Sequence, residues 1–168
     1  MAIRTLFEHP FFQLEAETRG EAMLVRMRSN DWVNVLPLTA DGQAVLIRQM
    51  RFGVDGITLE IPGGVIDPGE DPLPAAQREL REETGYGGGA WRSLGAAHPN
   101  PAIQTNRVHM FVAEGVRLEG PQHLDALEDI AVELVPIDRL RELADSGAIS
   151  HALAQLTVLR WLRAPGNP

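Results

Sequence analysis

The sequence predicts a mixed-sheet fold of the α/β or α+β class, with strands on both sides of one central helix. Three observations predict it. Residues 21–61 have the apolar patterning of several short strands, residues 72–84 have helical periodicity, and strand-like and then helical segments follow. The chain of 168 residues suits one domain with a buried core, expected at residues 21–168 after an N-terminal extension at residues 1–20.

Turn signals separate the strands that precede the helix. Asp41-Gly42 is typical of a hairpin turn, and Pro62-Gly63-Gly64 ends the last of these strands. The segments with strand patterning are residues 21–29, 32–38, 43–50, 57–61, 107–115 and 131–137, and those with helical periodicity are 138–145 and 150–163. Strands therefore occur on both sides of the central helix, and two further helices end the chain.

The central helix has a start signal and a stop signal. Asp71 is an N-cap candidate followed by Pro72 at the first helical position, and Gly85 is a C-cap candidate. The helix is therefore predicted at residues 72–84. Its apolar stripe, which we expect to face the core, consists of Leu73, Ala76, Leu80 and Thr84. A neighbouring sector carries three carboxylates: Glu79, Glu82 and Glu83.

The composition excludes several kinds of chemistry. All 15 basic residues are Arg and the chain has no Cys, which rules out Schiff-base lysines, a lysine-bearing phosphate loop, thiol nucleophiles and cysteine-ligated metals. The net charge of −8 argues against nonspecific nucleic-acid binding, and no apolar run approaches the ~18 residues of a membrane span. Because residues 1–20 lack a signal-peptide pattern, we expect a cytoplasmic protein without nucleic-acid or membrane partners.

The clustered carboxylates of the central helix repel one another, and they lie in its last turns, where the helix dipole disfavours anions. Arg78 can pair with Glu82 one turn away, but it does not cancel the charge. One interpretation is a solvated acidic face. The other is a site for a divalent cation, which takes clustered oxygen ligands. The glycine turn just upstream can bring backbone carbonyls close to the carboxylates and so favours the cation.

A fixed pattern of residues spans positions 64–86. It consists of Gly64, Glu70, Arg78-Glu79-Leu80, Glu82-Glu83, Gly85 and Tyr86. This pattern resembles the box of the Nudix hydrolases, G-x5-E-x7-R-E-U-x-E-E-x-G-U, where U is a bulky aliphatic residue. Tyr86 departs from it at the last position. The resemblance implies a Nudix-type α/β/α sandwich with a mixed sheet.

The resemblance also implies roles for the residues of the box. The metal ligands it implies are Glu79, Glu82, Glu83 and the carbonyl oxygen of Gly63. Of the carboxylates, Glu82 is the auxiliary one, and the metal is Mg²⁺ or Mn²⁺. Gly64 belongs to the turn, and Glu70 and Arg78 are expected to pair and to brace the loop against the helix. A free surface acid at Glu70 is the alternative.

Flanking residues resemble the branch of this family that hydrolyses ADP-ribose and nucleotide sugars. They are Arg48-Gln49-Met50-Arg51, Leu59-Glu60-Ile61-Pro62-Gly63-Gly64 and Pro101. The implied reaction is metal-dependent hydrolysis of the pyrophosphate bond by an activated water, giving a nucleoside monophosphate and a sugar phosphate. A strand pair in the N-terminal extension and a homodimer that completes the substrate site would follow. Hydrolysis of modified nucleoside triphosphates or dinucleoside polyphosphates, and a silent nucleotide-sugar sensor, are the alternatives.

Candidate substrate contacts come from four side chains. They are Trp32, Arg51, Glu60 and Arg107. Arginine forks match phosphate and ribose oxygens, and an indole ring can stack on a nucleobase. Each arginine could instead be an exposed strand residue, and Trp32 a core residue.

The general base of the reaction is expected on a late loop, as the resemblance implies. Glu128 is the best candidate there, and Asp125 and Asp129 are its rivals. The alternative is that this loop acid is simply solvated.

Overall fold

The computed structural model describes residues 3–126, 128–164 and 167, which form two sheets and three α-helices. The strands are β1 (Ile3–His9), β2 (Phe12–Arg19), β3 (Ala22–Ser29), β4 (Trp32–Thr39), β5 (Gln43–Arg51), β6 (Gly56–Glu60), β7 (Tyr86–Gly87), β8 (Ala90–Ala97), β9 (Val108–Leu118) and β10 (Ile130–Pro136). The helices are α1 (Pro72–Thr84), α2 (Leu140–Asp145) and α3 (Ala152–Leu162), with 3₁₀ turns at Phe52–Val54 and Ile137–Arg139. The predicted mixed α/β class is confirmed.

β4 lies at the centre of the larger, seven-stranded sheet. The strand order is β10-β5-β4-β9-β7, with β6 paired to β5 and β8 paired to β9. β4 and β9 run parallel, starting from Trp32 opposite Val108, and the other pairs are antiparallel. Residues 33–38 of β4 are all buried, as expected for a strand that is covered on both faces.

Helices cover the two faces of this sheet. Val33 and Val35 of β4 share a core cluster with Leu80 of α1. Leu36, on the opposite face, belongs to a second cluster that includes Val158 of α3. Because alternate residues of a strand point to opposite faces, β4 contacts a helical layer on each side. This arrangement is the expected α/β/α sandwich.

The central helix begins and ends where the sequence predicts. Pro72 opens it, and Gly85 ends it in the left-handed conformation with φ 75°. Asp71 occupies the N-cap position without a side-chain hydrogen bond. The prediction that Leu73 faces the core is wrong, because this residue is 38% exposed. It lies in the first helical turn, which follows the exposed loop at residues 67–69 and stays at the surface.

The N-terminal strands form a separate three-stranded antiparallel sheet in the order β1-β2-β3. Strand β3, expected to belong to the main domain, pairs with β2 along its whole length, from Ala22 opposite Arg19 to Ser29 opposite Phe12. The sheet thus continues past residue 20, where we placed a domain boundary, and that boundary stays a prediction.

Strands β7 and β8 were not predicted. β8 contains Gly95, and its register against β9 shifts between Ser93 and Gly95. Its residues are exposed or half-buried without a clean alternation, so the period-2 signal that identifies strands is weak. In the part of the chain that the structure describes, no helix is both long enough and apolar enough to span a membrane.

Candidate active site

The glycine turn is held against the central strand where the sheet opens. β4 pairs with β5 at Leu38 opposite Ala44. Nearer the start of β4, its neighbour is the glycine turn. There Val35 N–H donates to Pro62 O at 2.9 Å, and Val33 N–H donates to Gly64 O at 2.9 Å. Because β4 and β5 do not pair there, Gly63 and Gly64 lie next to β4, in the middle of the sheet.

Both glycines of this turn are required by close approach. A Cβ atom on Gly63 would collide with the carbonyl oxygen of Val33, and one on Gly64 would lie 2.5 Å from the carboxylate of Glu79. A side chain at Gly63 would have to displace backbone, whereas one at Gly64 would push the Glu79 carboxylate away from the turn. The turn and the carboxylates are thus brought together, as predicted.

The three glutamates of α1 differ in burial. Glu83 is 2% exposed and Glu79 is 9% exposed, whereas the side chain of Glu82 is 43% exposed. One carboxylate oxygen of Glu83, Oε2, accepts a hydrogen bond from Gly63 N–H at 2.8 Å. The interpretation of a fully solvated acidic face therefore does not fit two of these three acids.

Arg78 connects the helix to the preceding loop. Its Nη1 donates to Glu79 Oε1 at 2.9 Å and to Glu82 Oε2 at 3.0 Å. Its Nε and Nη2 donate to the two oxygens of Glu70 at 3.2 and 2.9 Å, and Nη2 also donates to Val65 O at 3.2 Å. The predicted contacts of Arg78 with Glu70 and Glu82 are confirmed. These bonds raise the pKa of Arg78 and lower the pKa of Glu70.

The pKa values of Glu79 and Glu83 are raised, in contrast to that of Glu70, because their hydrogen bonds do not compensate for their burial. Burial raises the pKa of Glu79 to about 7, with Arg78 opposing the shift and the charges of Glu82 and Glu128 adding to it. The pKa of Glu83 is raised well above its ordinary value, again mainly by burial, and Gly63 N–H opposes the shift. Both carboxylates lie where a positive charge would be stabilising.

The carboxylate and carbonyl oxygens of this group are donors that suit a divalent cation. Among the described residues, no three His, Asp or Glu side chains already have the spacing of a metal site, and no ion pair involves Glu83. The guanidinium of Arg78 is the cation next to Glu79 and Glu82. Glu83 is a buried carboxylate with a single N–H donor, a combination that favours either a proton or a hard cation.

Glu128 lies within electrostatic reach of these acids. Its negative charge contributes to the raised pKa values of Glu79 and Glu83 and to the raised pKa of Arg51. Its Oε2 accepts a hydrogen bond from Asp125 N–H at 2.9 Å, in a tight turn where Glu128 N–H donates back to Asp125 O. This loop therefore presents an acid towards the acidic helix.

Arg51 and Glu60 form a second charged group beside the turn. Arg51 donates through Nε and Nη2 to the two oxygens of Glu60, at 2.8 and 2.7 Å. Thr58 Oγ1 donates to Glu60 Oε1 at 2.6 Å, and His151 Nδ1 lies 3.1 Å from Glu60 Oε2. These donors outweigh burial and hold the pKa of Glu60 well below its usual range.

A cleft of about 560 Å³ joins this pair to the glycine turn. The predicted residues that line it are Trp32, Arg51, Glu60, Gly63 and Gly64. Arg107 is not among its lining residues; it is exposed, and its backbone N–H donates to Asp31 Oδ1 at 2.8 Å. Trp32 also contacts the cluster of Val108 and Met110, so it both lines the cleft and packs against the core.

Sequence reasoning missed several lining residues of this cleft. They are Phe11, Phe12, Asn34, Ser150 and His151. The phenylalanines come from the β1–β2 hairpin and His151 from the residue before α3, both far along the chain from the box. The one available signal was the adjacent pair of aromatic residues at a predicted extension, which is unusual for an unpacked terminus.

Comparisons with known proteins agree with this geometry. A family model described as NUDIX domain matches residues 29–156. The chain is similar to the ADP-ribose pyrophosphatase of Bacillus subtilis (strain 168), with 33% identity over 121 residues, which are 71% of this chain and 65% of that protein. It is similar to the ADP compounds hydrolase NudE of Escherichia coli (strain K12), with 28% identity over 167 residues, which are 96% of this chain and 89% of that protein. A crystal structure of an ADP compounds hydrolase has the same fold, with a TM-score of 0.79 at 24% identity, covering 100% of this chain and 95% of that one.

The chain spans just under two thirds, 65%, of the length of the Bacillus relative, but most of the length of the Escherichia one. The family model covers the central sheet, the glycine turn and the acidic helix, and it ends within α3. On this match, the chain belongs to the Nudix family.

Proposed function

We propose that this protein hydrolyses the pyrophosphate bond of ADP-ribose or of a nucleoside diphosphate sugar, releasing a nucleoside monophosphate and a sugar phosphate. The observation that carries the proposal is the meeting of two buried carboxylates, Glu79 and Glu83, with a side-chain-free turn that also lines a 560 Å³ cleft. A cleft of that size is within the range of small-molecule sites. The names of the two similar enzymes support the same substrate class.

The residues that would hold a divalent cation are Glu79, Glu83, the auxiliary Glu82 and the carbonyl oxygen of Gly63. Mg²⁺ is the metal we propose, with Mn²⁺ as a substitute, because carboxylate and carbonyl oxygens suit both. When bound, the metal neutralises pyrophosphate oxygens and acidifies the attacking water. The glycine turn places no side chain beside the carboxylates.

The remaining steps belong to the chain's own residues. In the proposed reaction a water oxygen forms a bond to one phosphorus, the bond from that phosphorus to the bridging oxygen breaks, and the bridging oxygen leaves with the other phosphate. Glu128 takes the proton of the water as general base. Arg78 and Glu70 keep the loop fixed against α1, so that the turn and the acids hold their relative positions.

Substrate contacts in this proposal follow the lining of the cleft. Arg51 presents its guanidinium, 40% exposed, to the diphosphate, and Trp32 offers an indole face to the nucleobase. Arg107 remains a predicted contact at the surface outside this cleft.

The test is a screen of ADP-ribose and several nucleoside diphosphate sugars with Mg²⁺ or Mn²⁺, following nucleoside monophosphate release by chromatography. Glu83→Gln should lower kcat by about 10³-fold, because losing a ligand removes several kcal/mol of charge stabilisation. Glu142→Gln is the matched control: it removes an exposed helical carboxylate that pairs with Arg139. Equal activity of wild type and Glu83→Gln would contradict the metal assignment.

Product analysis separates the alternatives. Release of pyrophosphate from nucleoside triphosphates, without cleavage of ADP-ribose, would replace the proposed substrate class with the triphosphate one. Tight ADP-ribose binding without turnover under any Mg²⁺ or Mn²⁺ condition would identify a sensor instead.

We also propose that the protein is a homodimer through its three-stranded sheet. That sheet leaves large apolar side chains at the surface: Ile3, Phe7, Phe11, Met23 and Leu24, each between 47% and 67% exposed. A second copy of the same sheet has matching apolar character. Sedimentation analysis should give a dimer for wild type and a monomer for Phe7→Glu, and a monomeric wild type would rule the proposal out.

A further inference from the structure

The carboxylate of Glu60 is the hub of a buried polar group that joins three elements of the fold. It is 2% exposed, ends β6, and accepts two hydrogen bonds from Arg51 of β5 and one from Thr58. The third neighbouring residue is His151, which immediately precedes α3. A buried charge of this kind persists only while its oxygens are satisfied.

The two oxygens of Glu60 have different second partners. Oε1 accepts from Arg51 Nε and from Thr58 Oγ1 of the same strand. Oε2 accepts from Arg51 Nη2, and its other neighbour is His151 Nδ1 at 3.1 Å. That nitrogen is buried, at an ion-pair distance but without a well-aligned hydrogen bond. His151 therefore connects the Glu60 carboxylate to α3, on the face of the sheet opposite α1.

The backbone of His151 is held at the wall of the cleft. Its backbone oxygen accepts from Gln155 N–H at 2.9 Å in the first turn of α3, and the next helical turns are buried in the core. Ser150, His151 and Leu153 all line the cleft. Because α3 is anchored by its core residues, the chain places the imidazole of His151 between this helix and Glu60.

Arg51 is held by this group and still faces the cleft. Glu60 engages its Nε and Nη2, so Nη1 is the nitrogen that these contacts leave for an anionic ligand. The position of the guanidinium therefore depends on the position of the Glu60 carboxylate. Thr58 restrains that carboxylate from its own strand, and His151 restrains it from α3.

We propose that His151 is a positioning residue that acts through Glu60 to fix the guanidinium of Arg51 for contact with the substrate diphosphate. The inference rests on the proposed function, because it takes the substrate of that site as given. Although His151 lines the cleft, the role proposed for it acts through Glu60 and not through contact with the reacting atoms. Its effect passes through the 3.1 Å contact of Nδ1 with Glu60 Oε2, and from Glu60 to Arg51 through two hydrogen bonds.

The test compares His151→Leu with His151→Asn, using ADP-ribose and Mg²⁺. Leucine removes the donor and keeps the bulk, and KM should rise about tenfold while kcat stays within about threefold, as expected when a charge-assisted contact weakens equally in the ground and transition states. Asparagine carries an N–H group on Cγ, as histidine carries Nδ1, and should restore KM to within about threefold. His98→Asn is the control, since His98 lies outside the cleft and contacts the backbone oxygen of Asn106.

A double-mutant cycle identifies the route of the effect. In an Arg51→Ala background, His151→Leu should cause no further rise in KM, because the group it positions is gone. If His151 had a merely structural role, the rise in KM caused by His151→Leu would add to that caused by Arg51→Ala, and asparagine at position 151 would not restore KM. Additive losses, or a wild-type KM in His151→Leu, would overturn the inference.

Failure of the proposed function gives a different result. The proposed function and this inference would both be overturned if wild type neither hydrolysed ADP-ribose or nucleotide sugars nor bound them. Calorimetry measures the binding. Active wild type with an unaltered His151→Leu variant would overturn the inference alone.

Discussion

Glu60 and Glu83 are two glutamates of equal burial, each 2% exposed, that the fold treats in opposite ways. Glu60 receives three hydrogen bonds and has a histidine nitrogen at 3.1 Å, and these partners keep its pKa well below the usual range. Glu83 receives one backbone N–H, and its pKa is well above the usual range. Burial alone therefore does not decide the charge of an acid; its donors do.

The difference indicates what each acid is for. Glu60 is compensated by the protein itself and can remain charged without any ligand. Glu83 and its neighbour Glu79 have too few donors to offset their burial, and the hard cation of the proposed function would supply the missing positive charge. Four predictions test this contrast.

The largest effect is expected from Glu128, whose charge acts on both groups. Glu128→Gln should lower kcat by about 10²–10⁴-fold if this acid is the general base, with KM and Mn²⁺ affinity nearly unchanged. Steady-state kinetics and Mn²⁺ titration check this result. Asp125→Asn and Asp129→Asn are the comparison variants. Unchanged kcat in Glu128→Gln with intact metal binding would remove Glu128 from that role.

The second prediction concerns pH and metal-free protein. The folded pKa of Glu79, about 7, lies above the ordinary value of 4.5, so this acid stabilises the fold below pH 4.5 and that contribution is lost as pH rises through 7. In EDTA, the ionisation of Glu79 should lower the free energy of unfolding by roughly 3 kcal/mol between pH 5 and pH 8. The ionisation of Glu83 acts in the same direction. Urea unfolding measures it.

Two additions make the second prediction sharper. Saturating Mg²⁺ should reverse the loss at pH 8, because ligand binding stabilises the folded state. Glu83→Gln, which mimics the protonated acid, should stabilise the metal-free protein at pH 8. Stability in EDTA that rises or stays level between pH 5 and pH 8 would contradict the contrast.

The third prediction is the converse for Glu60. Glu60→Gln removes a charged acceptor from Arg51 and should destabilise the protein by about 2 kcal/mol at pH 7, a moderate figure because Arg51 is 40% exposed. The folded pKa of Glu60 is lowered, so its contribution is present above the ordinary pKa and is lost only as pH falls through the lower folded value. The loss should therefore be the same at pH 5 and pH 8. A stabilising Glu60→Gln would erase the distinction between the two acids.

The smallest effect is expected at the brace between loop and helix. Glu70→Gln weakens its bonds to Arg78 and should reduce Mn²⁺ affinity by about tenfold, the lower end for a partner that orients metal ligands. Calorimetry checks it, with Glu142→Gln as the exposed control. An affinity loss as large as that of Glu83→Gln would mean that Glu70 is itself a ligand.

The sequence was most informative where a feature depends on neighbours along the chain. The bounds of α1 follow from Pro72 and Gly85, and the pairing of Arg78 with Glu82 follows from helical spacing. The contact of Gly64 with Glu79 was expected from the order of glycine turn, loop and helix within the box. Features of this kind can be predicted from the sequence without knowledge of the fold.

Features that depend on distant segments could not be predicted. His151 reaches Glu60 only because α3 packs on the face of the sheet opposite α1, and no spacing relates the two residues. Arg107 looked equivalent to Arg51, yet the fold directs one outside the cleft and the other into it. Leu73 matched the apolar stripe, but the first turn of α1 stays at the surface.

The position of Arg78 also bears on the order of assembly. With its guanidinium bonded to Glu70, Glu79 and Glu82, the acidic helix carries an internal counter-charge as soon as it forms. Small metal-dependent domains, by contrast, remain unfolded until their ion arrives. Under the proposed function, this chain would therefore not depend on its metal in order to fold, because Arg78 already offsets part of the negative charge of the helix.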